Sequence, residues 1–250
     1  MSRAGNDLLL AVSYFTRLPV AGLVEYSEAA LERAAGWFPF VGWLVAVVAI
    51  SVLWLAGQVL PFQLAVLLSM AATILFTGAF HEDGLADTAD GFGPVGDRDK
   101  ALAVMKDSRL GTFGALGLGL VLAIKFLALS HFDSLSTAIV ALAVAHPLSR
   151  LSVAVVIATQ PYVSQAASRA RSVAQGLPAR GWLMALPAGL LPALVFVDAR
   201  TLLITLGVVA LVTVLLVWAF RRRFGGYTGD TLGALQQISE IGILLSLLAL

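Results

Sequence analysis

An all-α, polytopic membrane bundle is the fold class this sequence predicts, on three observations. Of 250 residues, 59% are hydrophobic and only 12% charged, where a soluble domain carries about 25% charged residues. The mean hydropathy is +0.92. The apolar residues gather into seven runs, each near the ~17–25 residues that cross a bilayer as a helix. A water-soluble globule and a disordered chain are both excluded.

The seven runs are 37–56, 61–80, 112–130, 134–159, 182–197, 201–220 and 232–250. The fifth is short and carries Pro187 and Pro192. It is the one expected to kink or to turn back within the membrane, which would leave six spans. Residues 1–36 read as an interfacial segment, because the apolar stretch Leu8 to Phe15 is too short to span and Asp7, Arg17 and Arg33 flank it. No linker or repeat divides the chain, so 1–250 is taken as one domain.

Placement of the bases sets the expected orientation. With the N-terminus in the cytoplasm, thirteen of the sixteen Lys and Arg residues fall on the cytoplasmic side and only Arg200 on the other, as the positive-inside rule requires. Lys125 and Arg150 lie within spans. The net charge of +1 is too small for a nucleic-acid footprint, so the bilayer is the expected macroscopic partner and nucleic acid is not. A homo-oligomer is left open. Absence of cysteine excludes disulfides, thiolate metal sites and cysteine nucleophiles.

Seven of the fifteen acids fall between Glu82 and Asp107, in an expected cytoplasmic loop over 81–111. The segment His81-Glu82-Asp83-Gly84-Leu85-Ala86-Asp87-Thr88-Ala89-Asp90-Gly91 is the densest. On a helix, Asp83, Asp87 and Asp90 fall within about 60° of arc, and Glu82 points about 80–100° away. Acids at a helix end also serve simply to solvate it. Here small residues interleave them, and like charges so placed favour a bound cation. Oxygen-only donors suit Mg²⁺, Mn²⁺ or Ca²⁺. The candidate metal ligands are therefore Asp83, Asp87, Asp90 and, less directly, Glu82; His81 is a candidate base or ligand, though a lone histidine is more often structural.

Lys106 and Arg109, at i and i+3, are candidates for holding phosphate oxygens, or are plain positive-inside anchors. A second expected cytoplasmic loop, 221–231, carries Arg221, Arg222, Arg223, Gly225, Gly226 and Asp230. It suits an anionic ligand near a metal, unless Asp230 is only a helix N-cap. Glu240 lies inside the last span, where a carboxylate is functional by default. Lys125 is expected to pair with an acid; His146 and Arg150, at i and i+4, share one face that could line a cavity or pair with acids to hold the bundle together.

Two function classes follow. One is a membrane-embedded transferase acting on a pyrophosphate-linked substrate, with metal and bases neutralising the phosphates. The other is a cation-coupled transporter, whose site would lie nearer the bilayer midplane. The acids crowd one surface, which favours the transferase.

The motifs His81 to Gly91, Met105-Lys106-Asp107-Ser108-Arg109-Leu110-Gly111-Thr112 and Gly225-Gly226-Tyr227-Thr228-Gly229-Asp230-Thr231-Leu232-Gly233-Ala234 resemble those of the cobalamin synthase family, the adenosylcobinamide-GDP ribazoletransferases. Phe15-Thr16-Arg17-Leu18-Pro19-Val20 and Trp37-Phe38-Pro39-Phe40-Val41-Gly42 look like the family's opening. The likeness runs almost end to end. It implies a Mg²⁺-dependent transfer in the cytoplasmic membrane. A hydroxyl of α-ribazole, or of its 5′-phosphate, attacks adenosylcobinamide-GDP and GMP leaves. The position of Glu82 is often apolar in the family. After Pro161-Tyr162 this chain has Val163-Ser164 where the family tends to have Ala-Arg, so a phosphate contact there would pass to Arg169 or Arg171.

Overall fold

A computed structural model describes residues 2–93, 96–163 and 177–250; Arg169 and Arg171 lie outside the described residues. The described chain is helical, with one isolated parallel bridge between Tyr162 and Tyr227 and no strand.

Two short helices come first, α1 (Arg3–Phe15) and α2 (Glu28–Ala34). Ser2 and Ser27 cap them through side chains that accept from Gly5 and Ala30 amides, satisfying donors that a helix start leaves open. Asp7 is buried and accepts two guanidinium hydrogen bonds from Arg33, at 2.9 Å each. This bidentate pair joins α1 to α2. Phe15 then packs edge-on against Phe38 and Phe80, which docks the N-terminal segment on the end of the bundle.

The long helices are α3 (Phe38–Gly57), α4 (Phe62–Thr77), α7 (Thr112–Ser130), α8 (Leu135–Thr159), α9 (Ala179–Phe196), α10 (Ala199–Phe224) and α11 (Gly229–Leu248). Each expected run therefore contains one helix. Six are long and apolar enough to cross a membrane alone, the first of them counted from Ala29. The fifth run is among them despite its prolines. The exception is α4, which reaches that standard only together with α5 (Phe80–Phe92), bent from it by 88°.

Gly78 and Ala79 make the bend, both in the left-handed region at φ +69° and +60°. Ala79 is the only non-glycine residue with positive φ among those described, and such a residue stores strain of about 1–3 kcal/mol. Arg17 holds the bend from outside: its amide donates to the Phe76 carbonyl at 2.8 Å, and its side chain covers Gly78. Turned at nearly a right angle, α5 runs across the end of the bundle rather than through it. The expected loop 81–111 is therefore largely helical, comprising α5 and α6 (Arg98–Met105).

At the centre stand α8 and α11, whose apolar windows are 78% and 67% buried; that of α10 is 11% buried and faces outward. Small residues permit the close contacts. A methyl on Gly42 of α3 would stand 2.6 Å from the His146 carbonyl oxygen and the Pro147 Cα of α8. The outer faces of α7 and α10 expose Leu116, Leu120, Leu203, Leu211 and Val214, as lipid-facing helices should.

Candidate functional site

α5 lies against the first turn of α11. Gly84 faces the Asp230 main chain, and Gly233 faces the His81 carbonyl oxygen. The missing side chains let the two backbones meet, and the meeting brings Asp230 beside the acids of α5. Thr228, not Asp230, caps α11: its hydroxyl accepts from the Thr231 amide, and the Thr231 hydroxyl accepts from its amide in return. Of the two roles open to Asp230, the N-cap is thus taken by Thr228, and the Asp230 carboxylate is left for other work.

The expected carboxylate face divides. Asp83 is exposed and Asp87 partly so. Asp90 is buried and accepts from the amides of Gly111 at 2.7 Å and Gly114 at 2.8 Å. These are orphan donors at the start of α7, where a negative charge is favoured. Asp90 holds that helix by both carboxylate oxygens. Burial pushes the Asp87 carboxyl up to about 6, helped by the charges of Asp83, Asp230 and Asp90. The cluster thus consists of Asp83, Asp87 and Asp230, from two helices. Among the described residues no three of these side chains converge to metal-holding distance. The donor set nevertheless fits a hard divalent cation: it is oxygen-only, and its mutual repulsion is what a cation relieves.

Glu82 turns inward, as its helical angle requires. Its Oε1 accepts from Gln237 at 2.9 Å. His81 is also buried, stacked at 5.2 Å and 7° on Phe15, and is not brought to the acid cluster's open side. Glu240 lies about 16 Å along α11 from its start, by the rise of a helix. There it pairs with Lys125 at 2.9 Å and has His146 Nδ1 at 3.3 Å. The pairing expected of Lys125 is found. Arg150 is buried, and its Nη1 donates to the His146 carbonyl at 2.9 Å, so it lines no open cavity.

The bases are dispersed. Lys106 is exposed and within electrostatic reach of Asp230. Arg109 forks onto Asp107 at 2.6–3.1 Å, exposed to solvent. Arg223 donates to the carbonyls of Gly91 and Gly96, securing the end of α5. Arg222 lies over the Trp218 ring, 5.4 Å from its centroid. Arg221 is exposed near Gln160 and Tyr227. The arginine triplet therefore does not form one anion clamp.

Sequence reasoning missed three tyrosines. Tyr162 and Tyr227 meet edge-on at 5.4 Å, held by the bridge in which Val163 donates to Tyr227 and Tyr227 to Pro161. Tyr14 is within electrostatic reach of both Tyr162 and Asp230. The advance signals were Tyr227 inside the Gly-rich motif and Tyr162 in the Pro161-Tyr162 pair.

The sequence matches the Cobalamin-5-phosphate synthase family over residues 7–248. Among similar proteins, an adenosylcobinamide-GDP ribazoletransferase of Leptothrix cholodnii is 46% identical, over 96% of this chain and 94% of its own. That of Ralstonia pickettii is 46% identical over 97% and 94%, and that of Shewanella frigidimarina 43% over 98% and 94%. No solved structure matches. With one family covering every span and all three polar motifs, the chain belongs to the Cobalamin-5-phosphate synthases.

Proposed function

We propose that this chain is an adenosylcobinamide-GDP ribazoletransferase that works with Mg²⁺ at the cytoplasmic face of the bacterial inner membrane. The observation that carries the reading is that Asp83, Asp87 and Asp230 lie within electrostatic reach of one another at the polar end of the bundle. The charge bias supports a cytoplasmic position for that end.

A hydroxyl of α-ribazole, or of its 5′-phosphate, forms an O–P bond to the phosphorus nearer the cobinamide. The bridging P–O bond breaks, and GMP departs with that oxygen. Mg²⁺, when bound, neutralises the diphosphate and the leaving phosphate; Asp83, Asp87 and Asp230 would hold it. Lys106 adds positive charge on the same side. The hydroxyl proton passes to a carboxylate of this cluster, since Phe15 covers His81. Asp90 keeps the start of α7 in place.

Protein in liposomes, given adenosylcobinamide-GDP, α-ribazole and Mg²⁺, should release GMP and form a cobalamin. EDTA or Asp87→Asn should abolish the release. Turnover undiminished by both would refute the site, and cation-driven uptake without GMP would favour a transporter.

A further inference from the structure

Beneath the acid cluster lies a second, wholly buried set of charges. Glu82 accepts from Gln237, and Gln237 Oε1 accepts from Lys125 Nζ at 2.7 Å. Lys125 reaches Glu240, which also accepts from Gln236. Gln236 in turn donates to Ser149 of α8 at 3.1 Å. The chain of contacts thus runs from α5 through α11 to α7 and α8. Glu82, Lys125, Gln236, Gln237 and Glu240 are each at most 7% exposed. Glu82 Oε2 and Arg150 Nε are buried without a hydrogen-bond partner, and Arg150 is within electrostatic reach of Glu82.

A carboxylate in such a place is a poor way to stabilise a helix, since its desolvation offsets much of the attraction. A polar group buried at a single position does set register, because only one arrangement satisfies it. α5 needs such a device. It has 13 residues; Asp90 and Arg223 tie its C-terminal end to α7 and α10, and toward its start the closest approach to α11 is at Gly84 and Gly233, which offer no side chain to resist sliding or rolling. Among the described residues, Glu82–Gln237 is its only side chain to side chain hydrogen bond to another helix. We infer that Glu82 is a positioning residue: through Gln237 it fixes the rotation of α5, and so the direction in which Asp83 and Asp87 face.

The inference rests on the proposed function only for its effect on turnover; the rotation is tested separately. The chain has no cysteine, so Asp83→Cys gives a single exposed thiol on the face in question. Its reaction with a water-soluble maleimide should slow at least fivefold when Glu82→Leu is added. The exchange Glu82→Gln with Gln237→Glu keeps the hydrogen bond with its direction reversed and keeps an oxygen at position 237 that accepts from Lys125. It should restore the rate. Where Glu82→Leu does not fold, judged by thermal melting, Gln237→Leu breaks the same link from the other side. With Asp83 intact, the same variants should raise half-saturating Mg²⁺ at least fivefold, and the exchange should reverse this. An unchanged labelling rate, or an exchange that restores nothing, overturns the positioning role. Altered labelling without any Mg²⁺-dependent turnover overturns the proposed function instead.

Discussion

A methyl group on Gly84 would stand 2.8 Å from the main-chain oxygen of Asp230 and 2.9 Å from its Cα. Atoms that close must move, and both elements are backbone, which yields little. Gly84→Ala should therefore push α5 from the first turn of α11 and separate Asp83 and Asp87 from Asp230. GMP release should fall at least tenfold, while helical content by circular dichroism is retained. Gly119→Ala, where nothing lies within 4 Å, is the control and should be neutral. Equal activity in the two variants would show that the contact does not matter.

Asp90 should behave differently from its neighbours. Its carboxylate satisfies two amides at the start of α7, and a charge-assisted hydrogen bond contributes about 1.5–3 kcal/mol. Asp90→Ala should then lower the unfolding free energy by about 2 kcal/mol or more, with Asp90→Asn milder because its amide oxygen still accepts. Asp83→Asn, on an exposed carboxylate, should leave stability within about 0.5 kcal/mol and act on turnover alone. Thermal melts in detergent, run beside the GMP assay, separate the two effects.

Acidification should weaken metal binding around the raised carboxyl of Asp87. Burial, then Asp83, Asp230 and Asp90, bring it to about 6. Below that pH the group carries a proton that a cation must displace; above it the group is ionised and free to bind. Half-saturating Mg²⁺ should therefore rise steeply as pH falls through about 6, and excess Mg²⁺ should restore turnover there. In Asp87→Asn, which should not turn over, Mg²⁺ binding measured directly by calorimetry should show no such dependence. A Mg²⁺ requirement flat from pH 7.5 to 5.5 would count against Asp87 as a ligand.

The spans were readable because lipid demands long apolar runs, and each run contains a helix. The least secure run proved to be 61–80, not the proline-bearing fifth, since a left-handed Ala79 leaves no mark in composition. Helical arithmetic correctly turned Glu82 away from Asp83 and Asp87. The same arithmetic put Asp90 with them, and could not reveal that α7 supplies the amides Asp90 accepts from. Asp230, Asp83 and Asp87 were all candidates in sequence, but their proximity was not legible, because the contact that brings Asp230 to Asp87 spans more than a hundred residues. Gly84 carried the hint: a small residue among acids announces a close approach without saying of what.

The pair Lys125–Glu240 tests how the bundle tolerates buried charge. Removing one partner leaves the other unpaired in an apolar interior, at a cost of about 3–5 kcal/mol. Lys125 donates at once to Glu240 and to Gln237, so Lys125→Met strands both. His146, 3.3 Å from Glu240, and Arg150, within its electrostatic reach, moderate the loss toward the lower end. Glu240→Gln added to Lys125→Met neutralises the stranded acid. The double variant should then be more stable than Lys125→Met, although Glu240→Gln alone should be less stable than the parent; independent sites cannot give that reversal of sign. Unfolding free energies in lipid bicelles measure the cycle. Simple additivity would mean that the two charges stand near each other without holding the helices together.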